Sequence, residues 1–163
     1  MRALARPLAL AGCVLSLTVA SCALAQESGG LPPIQDAAVT KECGACHMAY
    51  PPQMLPMRSW KALLGNLGDH FGENASLPAP ELASIEAYLI AHAGDAPDST
   101  AGRRFMRGIP AGATPLRITD ERFWNRAHSE IDPTIFASAK VKSKANCLAC
   151  HQGAAAGQYG EEE

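Results

Sequence analysis

The sequence predicts an all-α chain, on three observations. Apolar residues Trp60, Leu63, Leu64, Leu67 and Phe71 recur at helical spacing. A helix start at Pro80 and Glu81 is matched by a stop at Gly94, and no stretch sustains the period-two alternation of a strand.

The first 25 residues stand outside that fold. Arg2 and Arg6 precede an apolar run from Leu8 to Leu24, which ends in the small-residue pattern Ala23-Leu24-Ala25 before Gln26. This is the layout of a secretory signal peptide, residues 1–25, and the run is short for a bilayer span. Val19-Ala20-Ser21-Cys22 offers a competing lipoprotein signal, and Leu10-Ala11-Gly12-Cys13 a second, very early one. The simple cleavage is favoured, so a soluble periplasmic protein is expected.

Beyond the signal, Gln26 to Pro33 reads as a flexible leader. Asp36 to Cys46 can form a first helix, and Pro51, Pro52 and Pro56 then force an extended, turn-rich segment. A second helix starts near Ser59, weakened by Gly65 and Gly68. Gly72 to Pro80 is a loop, and Pro80 to Ala93 a third helix with Leu82, Ile85 and Leu89 on one face. Residues 26–95 thus form one unit. Asp95 to Arg117, rich in Gly, Pro and Ala, is a linker or an irregular packed loop. In the second unit, 96–163, Thr119 can cap a helix from Asp120 to Ser129, and another runs from Thr134 to Asn146. The tail beyond Gly153 reads as disordered.

Charge narrows the function classes. Removing residues 1–25 takes two of 14 basic residues and none of 16 acidic ones, leaving 12 against 16 and a formal charge of −4. Neither a nucleic-acid ligand nor a small-molecule substrate is expected. Residues 26–95 carry three basic and eight acidic side chains, and 96–163 nine basic and eight acidic. Such a charge dipole could orient the protein on an oppositely charged partner; a solvated mixed surface is the plainer reading.

All four cysteines of the mature chain sit in two copies of one motif, Cys43-Gly44-Ala45-Cys46-His47 and Cys147-Leu148-Ala149-Cys150-His151. A disulfide framework would scatter its cysteines. Here the spacing puts two thiols about one helical turn apart, where they can form thioethers to the two vinyl groups of one haem. The next residue, His47 or His151, can ligate the iron from the same side. Two such motifs in an exported chain indicate two covalently bound c-type haems. A single zinc ion held by the four cysteines is the lesser alternative, but it needs no histidine in either place. Each unit has only about 70 residues, a size at which a core alone gives marginal stability and a covalent apolar cofactor helps.

Six-coordinate iron needs a second axial ligand. His70, His92 and His128 remain once His47 and His151 are assigned. His70 precedes the loop that closes the first unit and is preferred to His92, which reads as a helix-end residue. His128 is the only further histidine of the second unit. Met54, Met57 and Met106 are alternatives, and a His/Met pair would raise the reduction potential. Tyr50, Trp60 and Trp124 are read as packing against porphyrin.

At the level of longer segments the chain resembles the dihaem cytochrome c family, known as DHC, of exported proteobacterial proteins. The resemblance is carried by Glu42 to Pro52 around the first motif, Leu55-Pro56-Met57-Arg58-Ser59-Trp60, His70-Phe71-Gly72-Glu73-Asn74-Ala75-Ser76-Leu77, Arg117-Ile118-Thr119, and Asn146 to His151. It implies a class I cytochrome c-like N-terminal haem domain and a small C-terminal haem domain of mixed irregular and helical structure. It also implies bis-histidine ligation, His47 with His70 and His151 with His128, in an electron carrier with no catalytic activity. The partners it implies are redox proteins: a high-spin, oxygen-binding monohaem cytochrome c as acceptor and a membrane cytochrome b as donor. A haem enzyme or gas-binding cytochrome with one open iron is the alternative function.

Overall fold

A computed structural model describes residues 30–160. The signal segment, and with it the choice between the two cleavage patterns, lies outside these residues. Six α-helices are described: α1 (Ala37–Cys43), α2 (Met57–Leu64), α3 (Ala79–Ala91), α4 (Arg103–Met106), α5 (Arg122–Ala127) and α6 (Pro133–Phe136). Among the described residues there is no strand; one isolated bridge joins His70 and Glu73. No described helix is long and apolar enough to cross a membrane.

The first core forms where α1, α2 and α3 meet. Asp36 caps α1, its carboxylate accepting from the Val39 amide at 2.9 Å. Helix α2 begins two residues before Ser59, because Pro56 ends the extended segment and its carbonyl accepts from the Ser59 and Trp60 amides. Gly65 closes α2 one turn earlier than the apolar spacing suggests, so Leu67 lies in a separate 3₁₀ turn, Leu67–Asp69. Val39, Leu55, Trp60, Leu64, Ile85, Leu89 and Ala93 are buried together. The Trp60 indole N–H donates to the Pro52 carbonyl at 2.8 Å, so its burial leaves no orphan donor. Leu89, on the inner face of α3, is 2 % exposed. Leu89→Ala is expected to destabilise the protein by about 2–5 kcal/mol, read as a lower denaturant midpoint at unchanged slope.

The segment after α3 is packed rather than a free linker. Arg58 ties it to α2, pairing with Asp95 at 3.4 Å and donating to the carbonyls of Pro110, at 3.1 Å, and Ala113. Short α4 places Phe105 in a second apolar cluster with Leu31 and Met54, flanked by Ile118, Phe123 and Tyr159. This cluster draws on both segments of the chain.

Four sequence expectations change here. The leader reading fails at Leu31, which is 4 % exposed and donates its amide to the Gly157 carbonyl at 2.8 Å. The tail reading fails with it over residues 154–160, the rest lying outside the described residues: Ala154–Ala156 form a 3₁₀ turn, Ala154 is fully buried and Tyr159 packs on the second cluster. Gly157 makes this possible with φ of 80°, since a Cβ there would overlap the Leu31 carbonyl. Thr119 does not cap α5. It lies inside a 3₁₀ turn, Ile118–Asp120, and Glu121 is the residue before the helix. The helix expected over 134–146 stops at Phe136. Beyond it the Ser138 hydroxyl accepts from the Val141 amide at 3.3 Å, the Asn146 side chain donates to the Val141 carbonyl at 3.0 Å, and Lys142 takes φ of 68°.

Candidate haem sites

Each Cys-x-x-Cys-His motif lies where a helix or turn ends. Cys43 is the last residue of α1 and Gly44 follows as its cap, so Cys46 and His47 leave the helix on an open turn. Cys147 to Ala149 form a 3₁₀ turn, and the His151 amide donates to the Cys147 carbonyl at 2.8 Å. In both motifs the first cysteine is half-buried and the second exposed, and burial pushes the Cys43 and Cys147 thiols up from their ordinary pKa.

The chain then brings a second imidazole to each. The rings of His47 and His70 have centroids 6.1 Å apart with planes 24° from parallel. The rings of His128 and His151 are also 6.1 Å apart, but their planes stand at 81°.

His70 is delivered by a tight turn. Its amide donates to the Glu73 carbonyl at 2.7 Å and its carbonyl accepts from the Glu73 amide at 3.3 Å, enclosing Phe71 and Gly72. Both enclosed residues have positive φ, 58° and 98°, as a type I′ turn requires. The strain at Phe71, about 1–2 kcal/mol for an L-residue, is offset in part by the Arg117 guanidinium, 3.9 Å over its ring. The Asp69 carboxylate accepts from the Gly72 amide at 3.0 Å and braces the turn. Burial, the neighbouring His47 and Arg117 lower the pKa of His70, which favours the neutral ring that can bind a metal.

His128 ends α5, one turn after Trp124, and stacks on that indole at 4.2 Å. Phe136 of α6 and Tyr159 close around the pair, 6.1 Å from His128 and 5.7 Å from His151. Sequence reasoning missed both; neither has a periodic signal, since α6 is one turn long and Tyr159 lies in the tail. It also missed two backbone acceptors. Nδ1 of His47 lies 2.7 Å from the Met48 carbonyl, and Nδ1 of His128 lies 2.8 Å from the Trp124 carbonyl. With Nδ1 donating in each, the other nitrogen keeps its lone pair for a metal.

The remaining candidates are placed elsewhere. His92 is exposed, stacks on Tyr88 at 4.3 Å and bonds the Tyr88 carbonyl. Met54 is buried in the second cluster, Met57 packs on the first core, and Met106 packs beside Phe105 and against Gly94. Trp60 lies in the core, whereas Tyr50 stacks on His47 at 4.8 Å and its hydroxyl donates to the Ala145 carbonyl at 2.8 Å. Burial, then the neighbouring Cys147, pushes the Tyr50 hydroxyl up to about 12.

The two pairs fit iron. A metal–imidazole bond of about 2 Å on each side, plus roughly 1 Å from each nitrogen to its ring centre, puts two axial rings about 6 Å apart. Exposed apolar side chains flank both places: Phe71 next to His70 and Leu148 between the cysteines, 46 % and 43 % exposed. A flat apolar group would cover such surface. The buried Tyr159 hydroxyl, which has no hydrogen-bond partner, is a donor left over beside His151. Among the described residues no three His, Cys, Asp or Glu side chains converge on one point, as a four-cysteine zinc centre would need.

An all-α fold with two Cys-x-x-Cys-His motifs, each facing a second imidazole, defines a c-type cytochrome with two haem sites. The family model for dihaem cytochrome c matches residues 39–159. A diheme cytochrome c from Rhodobacter sphaeroides is 43% identical with a TM-score of 0.71, the match covering 78% of this chain and 98% of that one. A second structure, of DHC purified from the same organism, is 41% identical with a TM-score of 0.64, covering 77% and 98%. A diheme cytochrome type c from Shewanella baltica is 39% identical with a TM-score of 0.59, covering 75% and 85%. No curated protein matches the sequence. The chain belongs to the dihaem cytochrome c family, and it carries two covalently bound c-type haems with iron.

Proposed function

We propose that this protein is a periplasmic electron carrier in which both irons are closed by two histidines, His47 with His70 and His151 with His128. The observation that carries the reading is the 6.1 Å separation of the rings in both pairs. When bound, each haem supplies an iron that alternates between the ferrous and ferric states. The four cysteines hold the porphyrins by thioethers. His47 and His128 are oriented by their carbonyl acceptors, His70 by its turn and His151 by its neighbour Tyr159. Two histidines holding each iron would leave no coordination site for a substrate, so electron transfer without bond making is the chemistry favoured.

The optical spectrum of the reduced protein with and without carbon monoxide tests this. No change is expected. A shift in about half the haem would expose an open iron and establish the gas-binding or enzymatic reading instead. The ring planes offer a separate check. Near-parallel axial imidazoles give a rhombic ferric low-spin resonance and near-perpendicular ones a far more anisotropic signal, so electron paramagnetic resonance should resolve two unlike haems. A single signal integrating to both irons would contradict the 24° and 81° geometries.

The partners proposed are redox proteins: an oxygen-binding monohaem cytochrome c as acceptor and a membrane cytochrome b as donor. The unequal charge of the two segments favours electrostatically guided encounter, so association with the acceptor should weaken as salt rises. Equal affinity at low and high salt would count against that.

A further inference from the structure

Four arginines line one cleft on the second segment. Arg104 comes from α4, Arg107 from the loop after it, and Arg122 and Arg126 from α5; with Gly108, Phe123 and Asn125 they enclose about 690 Å³. Arg122 and Arg126 are one helical turn apart and share a face. Trp124 and His128 lie roughly 200° round the same helix from them at 3.6 residues per turn. The cleft is therefore on the side of α5 turned away from the histidine pair.

The chain has shaped this concentration of charge. Gly108 takes φ of 92°, and a Cβ there would stand 3.0 Å from Cδ of Arg122, so the glycine leaves room for that side chain to lie across the loop. The rings of Phe105 and Phe123, 4.4 Å apart with planes inclined by 58°, support the wall from inside, with the Arg104 guanidinium 4.9 Å over Phe105. Nε of Arg104 is buried and has no hydrogen-bond partner. Among the described residues none of the four guanidinium groups pairs with a carboxylate; the one arginine ion pair there is Arg58 with Asp95. Four unpaired like charges around one hollow repel each other unless an anion joins them.

We propose that this cleft binds a small soluble polyanion, a ligand carrying two or more phosphate-type groups. Guanidinium groups recognise such oxygens in bidentate fashion, and several groups on one ligand can engage several arginines. The concave shape and the position behind α5 favour a small molecule over the flat, haem-edge surface an electron-transfer partner would use. The site is independent of the electron-carrier reading, which stands or falls on the histidine pairs.

Inorganic pyrophosphate, titrated calorimetrically into the haem-loaded protein at low salt, tests the proposal. Saturable one-to-one binding is expected, weakened at least about tenfold in the Arg122→Gln/Arg126→Gln double variant. Both side chains are exposed, so fold and haem spectrum should be unchanged. Arg107→Gln, from the loop, should weaken binding independently. Lys61→Gln/Lys140→Gln removes the same charge outside the cleft and should leave affinity within about twofold. No saturable binding, or equal losses in the two double variants, overturns the site. Retention on anionic phospholipid vesicles without pyrophosphate binding would overturn it in favour of a membrane surface.

Discussion

Replacing both Cys147 and Cys150 with alanine is expected to halve the covalently held haem. Cys43, Cys46, Cys147 and Cys150 divide evenly between two motifs, and each pair would hold one porphyrin by thioethers. Denatured variant protein should carry the mass of one haem, and its haem absorbance per chain should fall about twofold. The loss should also loosen the second segment. Its helices α5 and α6 are short, and Trp124, Phe136 and Tyr159 pack around the two imidazoles rather than in a deep core of their own. Hydrogen exchange should therefore quicken from Arg122 to Gly160 more than in the three-helix core. A full complement of covalent haem after denaturation would sink the assignment of these cysteines.

His70→Ala is expected to open the first iron and no other. The reduced variant should bind carbon monoxide at about half its haem, where the parent protein binds none. His92→Ala is the matched control: that ring is exposed and stacked on Tyr88, so the spectrum should not respond. If the response followed His92 instead, the pairing around the first haem would be wrong. His70→Met would keep the iron closed and raise its potential, because a thioether favours the ferrous state more than imidazole does.

Helix α3 was legible in the sequence because its signals are local: proline near its start, Glu81 in the first turn and Gly94 after its end. The second segment was harder to read. A helical pattern over 134–146 yields to side chains that compete for the backbone, Ser138 and Asn146 taking up groups that a continued helix would use. Leu31 and the residues after Gly153 looked featureless because neither segment is ordered by itself. Each is ordered by the other through the Leu31–Gly157 bond and the shared apolar cluster.

The attachment chemistry needed no structure. Two thiols and an imidazole at fixed spacing are a covalent fact of the chain, and their chemistry follows from a few bonds of separation. The partner of each motif histidine was a different matter. His70 lies 23 residues after His47 and His128 lies 23 residues before His151, and at that range the sequence could only prefer them, with His92 and the methionines Met54, Met57 and Met106 kept as alternatives. The tertiary structure brings two of them, His70 and His128, to ring separations of 6.1 Å from His47 and His151. A strained turn at Phe71 and Gly72 turns His70 toward His47, while the end of α5, with Trp124 and Phe136, sets His128 against His151. Closing such loops costs entropy that only packed contacts repay, so the pairing, and the angle at which each pair meets, belong to the fold.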